Sequence, residues 1–229
     1  MRHCGLLFVA VFLFGLCGAA RSRADNLVVN GSFESPNVGG GWSMFANGSV
    51  PGWYTTDSAG DIEIDGDIFG APAYAGNQSL EVNAYNPEDV YQTISGLVAG
   101  QTYVLSWAYG DRPGSGDEKL QVYFTPSKDL TAATPVATDY DNLGGSNSKL
   151  LWSTNSVVVT AISTTEVLSF KGVYVDGNAS YGNEVDAVSL ATASAPEPST
   201  LLLLALGLGM LGLVNTWRRR RVFPISARL

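Results

Sequence analysis

The nine residues "TYVLSWAYG", 102–110, alternate in a way that only an extended strand can use: Tyr103, Leu105 and Trp107 fall on one face, Val104, Ser106 and Ala108 on the other. The large set is expected to face a core. Shorter segments with the same period recur between turn residues throughout 25–195, and no window there sustains an apolar stripe of helical period. Strands are predicted over 27–33, 52–55, 62–64, 79–83, 90–94, 102–108, 120–124, 157–161, 167–170 and 185–190. Roughly ten short strands in a domain of ordinary size predict an all-β fold, an antiparallel β-sandwich of jelly-roll type. The stretch "VYQTISGLVAGQTYVLSWAYG" reads as a hairpin closed by "SGLVAGQ". Two long stretches, "NVGGGWSMFANGSVPG" and "TAATPVATDYDNLGGSNSKLLWSTN", read as loops.

The ends carry different chemistry. Arg2, an apolar run from Leu6 to Leu16 and the small-residue site Ser22-Arg23-Ala24 predict a signal peptide over 1–24, with the mature chain starting at Asp25. Cys4, Cys17 and His3 all lie inside it. The expected mature chain therefore lacks disulfides, Cys/His zinc sites, a cysteine nucleophile and any Ser-His-Asp triad. A lipidated Cys17 fits poorly, because bulky Leu16 precedes it. Residues 25–195 hold 20 acidic and five basic side chains, a net charge of −15. Such a surface repels phosphate backbones, which excludes nucleic acid as a partner, and favours divalent cations and neutral ligands.

The C-terminal stretch "SAPEPSTLLLLALGLGMLGLVNTWRRRR" has three parts. A linker over 192–200 contains Pro196, Glu197 and Pro198. An uncharged run from Leu201 to Trp217 follows, about 25 Å long as a helix and read as one transmembrane span. Arg218, Arg219, Arg220 and Arg221 then open a basic tail, 218–229, expected to stay cytoplasmic. Pro-Glu-Pro, hydrophobic span and arginine cluster together resemble the PEP-CTERM sorting signal of Gram-negative bacteria that make exopolysaccharide. The resemblance implies an exosortase as partner, cleavage near the Pro-Glu-Pro motif, and passage through the inner membrane to the cell surface or beyond. The residues "VFPISARL" after the arginines depart from that pattern. A glycosylphosphatidylinositol signal shares the small residues and hydrophobic tail but does not suit four arginines.

Within the expected ectodomain, 25–191, "NLVVNGSFESP" and "NEVDAVSLAT" resemble the first and last strands of carbohydrate-binding-module-like, galactose-binding-like jelly rolls. "GNQSLEVNA" and "VVVTAISTTEVLSF" resemble middle strands of that group. The resemblance implies a structural Ca²⁺ between the terminal strands, held partly by Glu34 and Asp186. An ion taking six to eight oxygens could replace the missing disulfides. A further acidic run, "DIEIDGDIFG", places the carboxylates of Asp61, Glu63, Asp65 and Asp67 and the isoleucines on opposite sides of a strand, and its acids are expected to form a solvated face, with a Ca²⁺ site as the lesser alternative. Asp65-Gly66-Asp67 lacks the helices and distal glutamate of an EF-hand.

Trp42, Trp53, Trp107, Trp152 and ten tyrosines make the region aromatic-rich. Most belong to the core. Trp42, Tyr85, Tyr91, Asp111 and Arg112 fall in loops, at strand ends or on an outward face, and are the candidate contacts for an extracellular polysaccharide, whose C–H faces stack on aromatic rings. The acids offer many carboxylate pairs, but no motif singles one out for glycoside hydrolysis. The expectation is an exported, non-catalytic glycan-binding protein of a matrix or envelope. The alternatives are a structural or adhesion protein without sugar recognition, and a glycosidase.

Overall fold

The computed structural model describes residues 25–67, 69–114, 118–141, 149–193 and 207–208. The predicted signal peptide, the Pro196-Glu197-Pro198 motif, the arginine cluster and nearly all of the predicted transmembrane span lie outside the described residues. Among those described, no helix is long and apolar enough to cross a membrane.

The chain forms β1 (Trp42–Ala46), β2 (Trp53–Thr55), β3 (Asp61–Asp65), β4 (Ser79–Glu81), β5 (Asp89–Ser95), β6 (Thr102–Asp111), β7 (Glu118–Thr125), β8 (Ala137–Asp141), β9 (Ser153–Thr160), β10 (Thr165–Tyr174) and β11 (Asn183–Thr192). They build a six-stranded sheet of order β1-β3-β4-β11-β6-β9 and a five-stranded sheet of order β2-β5-β10-β7-β8. Every pairing is antiparallel. The sandwich is all-β, as the alternation predicts.

The core lies between the sheets. Tyr103, Leu105 and Trp107 of β6 are buried, as their alternation predicts, together with Ile62, Ile64, Leu80 and Leu190 on the same sheet. Trp53, Val90, Val122 and Phe170 come from the facing sheet. Trp53 packs against Phe33 at 5.1 Å and Phe170 at 6.1 Å between ring centroids, and Trp107 meets Phe170 edge-on. Aromatic pairs at such distances add to the stabilisation from burial alone.

Three expectations are corrected. The segment 27–33 is no strand: it turns, with Asn30 and Phe33 at positive φ. It is nevertheless tied to β11, since Leu27 N–H donates to the Leu190 carbonyl and Asn26 bonds both Val188 and Leu190. Gly31 permits this approach, because a Cβ there would sit 2.2 Å from the Val188 carbonyl oxygen. The stretch around "SGLVAGQ" is no hairpin. β5 belongs to the five-stranded sheet and β6 to the six-stranded one, so the connection crosses the end of the sandwich, plugged by buried Leu97. Alternation reports which face is buried and says nothing about which strand supplies the hydrogen bonds. Finally, β1 and β8 lie inside the two stretches read as loops.

Candidate functional site

Two outer faces carry unusual chemistry. On the five-stranded sheet, Tyr54 of β2 is in register with Tyr91 of β5, Tyr91 with Ser169 of β10, and Ser169 with Tyr123 of β7. A row of three tyrosines therefore crosses four strands, about 14 Å at the usual strand spacing. The Tyr54 and Tyr91 rings are nearly parallel, 28° apart with centroids at 5.9 Å, and Tyr54 is 44% exposed. The Lys128 ammonium stands 5.6 Å from the Tyr91 centroid. Beside the pair lies a shallow depression of about 500 Å³, lined also by Gly52, Thr93 and Ser95. Residues 89–95 of β5 alternate Val90, Gln92 and Ile94 inward, which turns Tyr91, Thr93 and Ser95 outward.

The outer face of the six-stranded sheet is acidic yet buried. Glu63 of β3 is in register with Glu81 of β4, and Glu81 with Glu184 of β11, while Asp65 stands opposite Ser79. All four acids are at most 4% exposed. This corrects the expectation of a solvated face: the alternation is right, but a strap covers the acids. Residues 69–78 cross the sheet. Phe69 and Pro72 accept hydrogen bonds from Leu150 N–H and the Trp152 indole, while Ala75 N–H donates to Asp186. Gly110 lets the neighbouring 149–152 segment lie directly on β6, since a Cβ there would meet the Leu151 carbonyl oxygen at 2.4 Å.

Burial pushes Glu63 up to about 7, with the Asp65 charge adding and Arg112 opposing. Burial likewise holds Glu81 and Glu184 well above the usual carboxylate range. Arg112 Nη1 donates to Glu81 Oε2 at 2.7 Å and lies 3.9 Å from Glu63. Its guanidinium is sandwiched against Phe69 and Tyr181, 4.8 and 4.1 Å from the ring centroids.

Of the residues proposed for a ligand, Tyr91 joins the tyrosine row. Trp42, 58% exposed, lies on the outer face of the other sheet at the β1 edge. Tyr85 is exposed in the connection between β4 and β5. Asp111 is buried at the end of β6, and Arg112 is committed to Glu81 and two rings. These five do not form one surface. Sequence reasoning passed over Tyr54, whose signal is its outward place in the Trp53-Tyr54-Thr55 triplet, and Glu81 and Glu184, whose parity matches Glu63 only once the strands are paired.

Glu34 and Asp186 are brought to the same 75–78 segment, close enough for the Glu34 charge to act on Asp186. Glu34 accepts from the Asn77 and Gln78 amides at 2.7 and 3.0 Å. Asp186 accepts from Ala75 N–H at 2.7 Å and from Ala187 N–H, at a β11 bulge where Ala187 takes φ 50°. Burial raises Asp186 to about 7, with the Ala75 and Ala187 amides opposing and the Glu34 charge adding. Two acids converging on one segment, one of them buried, suit a cation in charge. The amide donors already satisfy part of their oxygens.

Comparison with known proteins adds the following. The chain is 26% identical over 199 residues to halomucin of Haloquadratum walsbyi, an alignment that covers 83% of this chain but only 2% of that protein. Its fold is similar to the K1 cleaved adhesin domain of Lys-gingipain from Porphyromonas gingivalis W83 (TM-score 0.49, 15% identity, 67% of this chain and 98% of that one). It is also similar to a carbohydrate-binding module of type CBM4 (TM-score 0.40, 18% identity, 72% and 99%). A third similar structure is the CBM22-1 xylan-binding domain of Paenibacillus barcinonensis Xyn10C (TM-score 0.40, 14% identity, 76% and 97%). Beyond the sandwich, residues 194–221 match the PEP-CTERM protein-sorting motif, so the chain carries a sorting signal of the kind its Pro-Glu-Pro, hydrophobic and arginine segments resemble.

Proposed function

We propose that the sandwich is a non-catalytic domain that binds a neutral glycan of the cell's matrix or envelope through Tyr54 and Tyr91 on the five-stranded sheet, the third tyrosine of the row, Tyr123, being buried. The carrying observation is the pair of exposed Tyr54 and half-buried Tyr91, in register and nearly parallel beside a hydroxyl-lined depression. Sugar rings stack their C–H faces on such rings, and Thr93 and Ser95 offer hydroxyls to theirs. The net charge of −15 over 25–195 disfavours an anionic polysaccharide. The sorting signal supports export to the cell surface with an exosortase as processing partner, the span 201–217 holding the chain in the membrane until then. In this reading a structural Ca²⁺ lies between Glu34 and Asp186 and fastens the N-terminal segment to β11.

A glycan array probed with the full chain in detergent tests the proposal. Binding to a neutral polysaccharide is expected, weakened at least tenfold by Tyr54→Ala or Tyr91→Ala. Tyr74→Ala serves as the control, because Tyr74 borders a different depression on the other sheet. No binding to any glycan would leave a structural or adhesive role, and release of reducing sugar would make the protein a glycosidase.

A further inference from the structure

We propose that the buried carboxylates Glu63, Asp65, Glu81 and Glu184 form a second divalent-cation site, suited to Ca²⁺ and separate from the Glu34–Asp186 pair. One oxygen from each of Glu63, Asp65 and Glu81 lies within 4.8 Å of the others. Ca²⁺ binds oxygens at about 2.3–2.6 Å, so ligands on opposite sides of one ion stand about that far apart.

Clustered acids alone would not point to an ion, but the hydrogen bonding does. Asp65 is fully buried, and neither of its oxygens receives a hydrogen bond from any N–H or O–H; Glu184 Oε1 is in the same state. What Asp65 faces instead is Glu184 and Glu81. Two carboxylates share such a contact only through a proton or a cation. The donors that do reach the cluster serve other oxygens. Ser79 Oγ donates to Glu184 Oε2, Gly182 N–H to Glu81 Oε1, and Arg112 to Glu81 Oε2.

The charges point the same way. Arg112 is the basic side chain that reaches these acids among the described residues, so four ionised carboxylates would keep three uncompensated charges in a buried site. A buried unpaired charge is strongly unfavourable. A divalent ion leaves one. The donor set is hard oxygen throughout, with no imidazole or thiolate, and that selects Ca²⁺ over zinc or copper. Three strands supply the ligands, so the ion would clamp β3, β4 and β11 beneath the 69–78 strap.

Elemental analysis of the full chain, purified in detergent and dialysed against Ca²⁺, tests this. Asp65→Asn and Glu184→Gln should each lower the bound calcium by one ion per chain. Glu34→Gln should leave that ion in place, which separates this site from the one in the proposed function. The melting temperature supplies a second signature of opposite sign. In chelator, both amide variants should melt above the wild type, because repulsion is relieved; in Ca²⁺ the order should reverse. Should the amide variants fail to fold, Trp42→Phe gives an independent reading: exposed Trp42 is the cross-strand partner of Asp65, and its loss should at least halve Trp-sensitised Tb³⁺ emission. Wild-type protein that holds no calcium, or whose calcium is unchanged in Asp65→Asn and Glu184→Gln, would overturn the proposal and assign the cluster to shared protons.

Discussion

Trp107 of β6 donates its indole N–H to Asp139 Oδ2 of β8 at 2.8 Å, a buried bond that joins the two sheets. Asp139 Oδ1 accepts from the Asn155 amide at 2.6 Å, so one carboxylate holds β6, β8 and β9 together. Burial raises the Asp139 pKa, while these two donors pull it back. The bond also explains how a core tryptophan satisfies its polar atom, which an apolar partner could not do.

Asp139→Ala should therefore destabilise the protein by about 2–4 kcal/mol, because it strands a buried indole N–H as well as losing a charge-assisted bond. Urea unfolding followed by Trp fluorescence measures it. Trp107→Phe with Asp139→Ala should cost less than the two single changes summed, since neither partner is then left unpaired. Strict additivity would show that the bond couples nothing.

Stability should also fall as the pH rises, and Glu88 gives a clean way to see it. Burial raises Glu88 to about 8, only partly offset by the Thr55 hydroxyl that donates to its carboxyl at 2.5 Å. The unfolded value is near 4.5. Between these values the folded protein holds a proton that the unfolded chain has lost, so the stabilisation is complete below about 4.5 and disappears as the pH climbs through 8. Glu88→Gln keeps the shape without the charge. It should flatten the fall in melting temperature between pH 5 and 8 and gain on the order of a few kcal/mol at pH 8. An unchanged pH profile would mean that Glu88 is ionised in the folded state.

The sandwich was legible because most of its strands alternate apolar residues with period two. Nine of the ten predicted strands coincide with β2 to β7 and β9 to β11. What alternation hides is the environment of the outward face. Glu63 and Asp65 point away from the core, as read, but they are buried, and the 69–78 strap over their sheet is held by Leu150 and Trp152, more than 80 positions further on than either acid. β8 hides for another reason: Ala137 to Asp141 has no apolar alternation, and beside the small Ala137 its inward residue is Asp139, which enters the core only because Trp107 and Asn155 await it. Tyr91 was legible from its own strand. Its partner Tyr54 depends on the register between β2 and β5, which no local pattern fixes.

The last prediction concerns the boundaries of the folding unit. Both ends of the sandwich are fastened inside it: Leu27 N–H donates to the Leu190 carbonyl near the start, and Ala193 N–H to the Thr102 carbonyl at the finish. The core is assembled from residues between Val28 and Leu190, drawn from both sheets. Residues 25–193 expressed alone should therefore fold without the signal peptide, the Pro-Glu-Pro linker or the hydrophobic span. Their circular dichroism should be that of a β protein, with a cooperative melt. Shortening the fragment to begin at Phe33 should lower the melting temperature clearly, because it removes Asn26 and Leu27, which bond Val188 and Leu190. It also removes Val29, whose backbone N–H and carbonyl bond the buried Gln92 side chain. A helical spectrum, or aggregation relieved only by restoring residues beyond 193, would show that the tail completes the fold as well as addressing it.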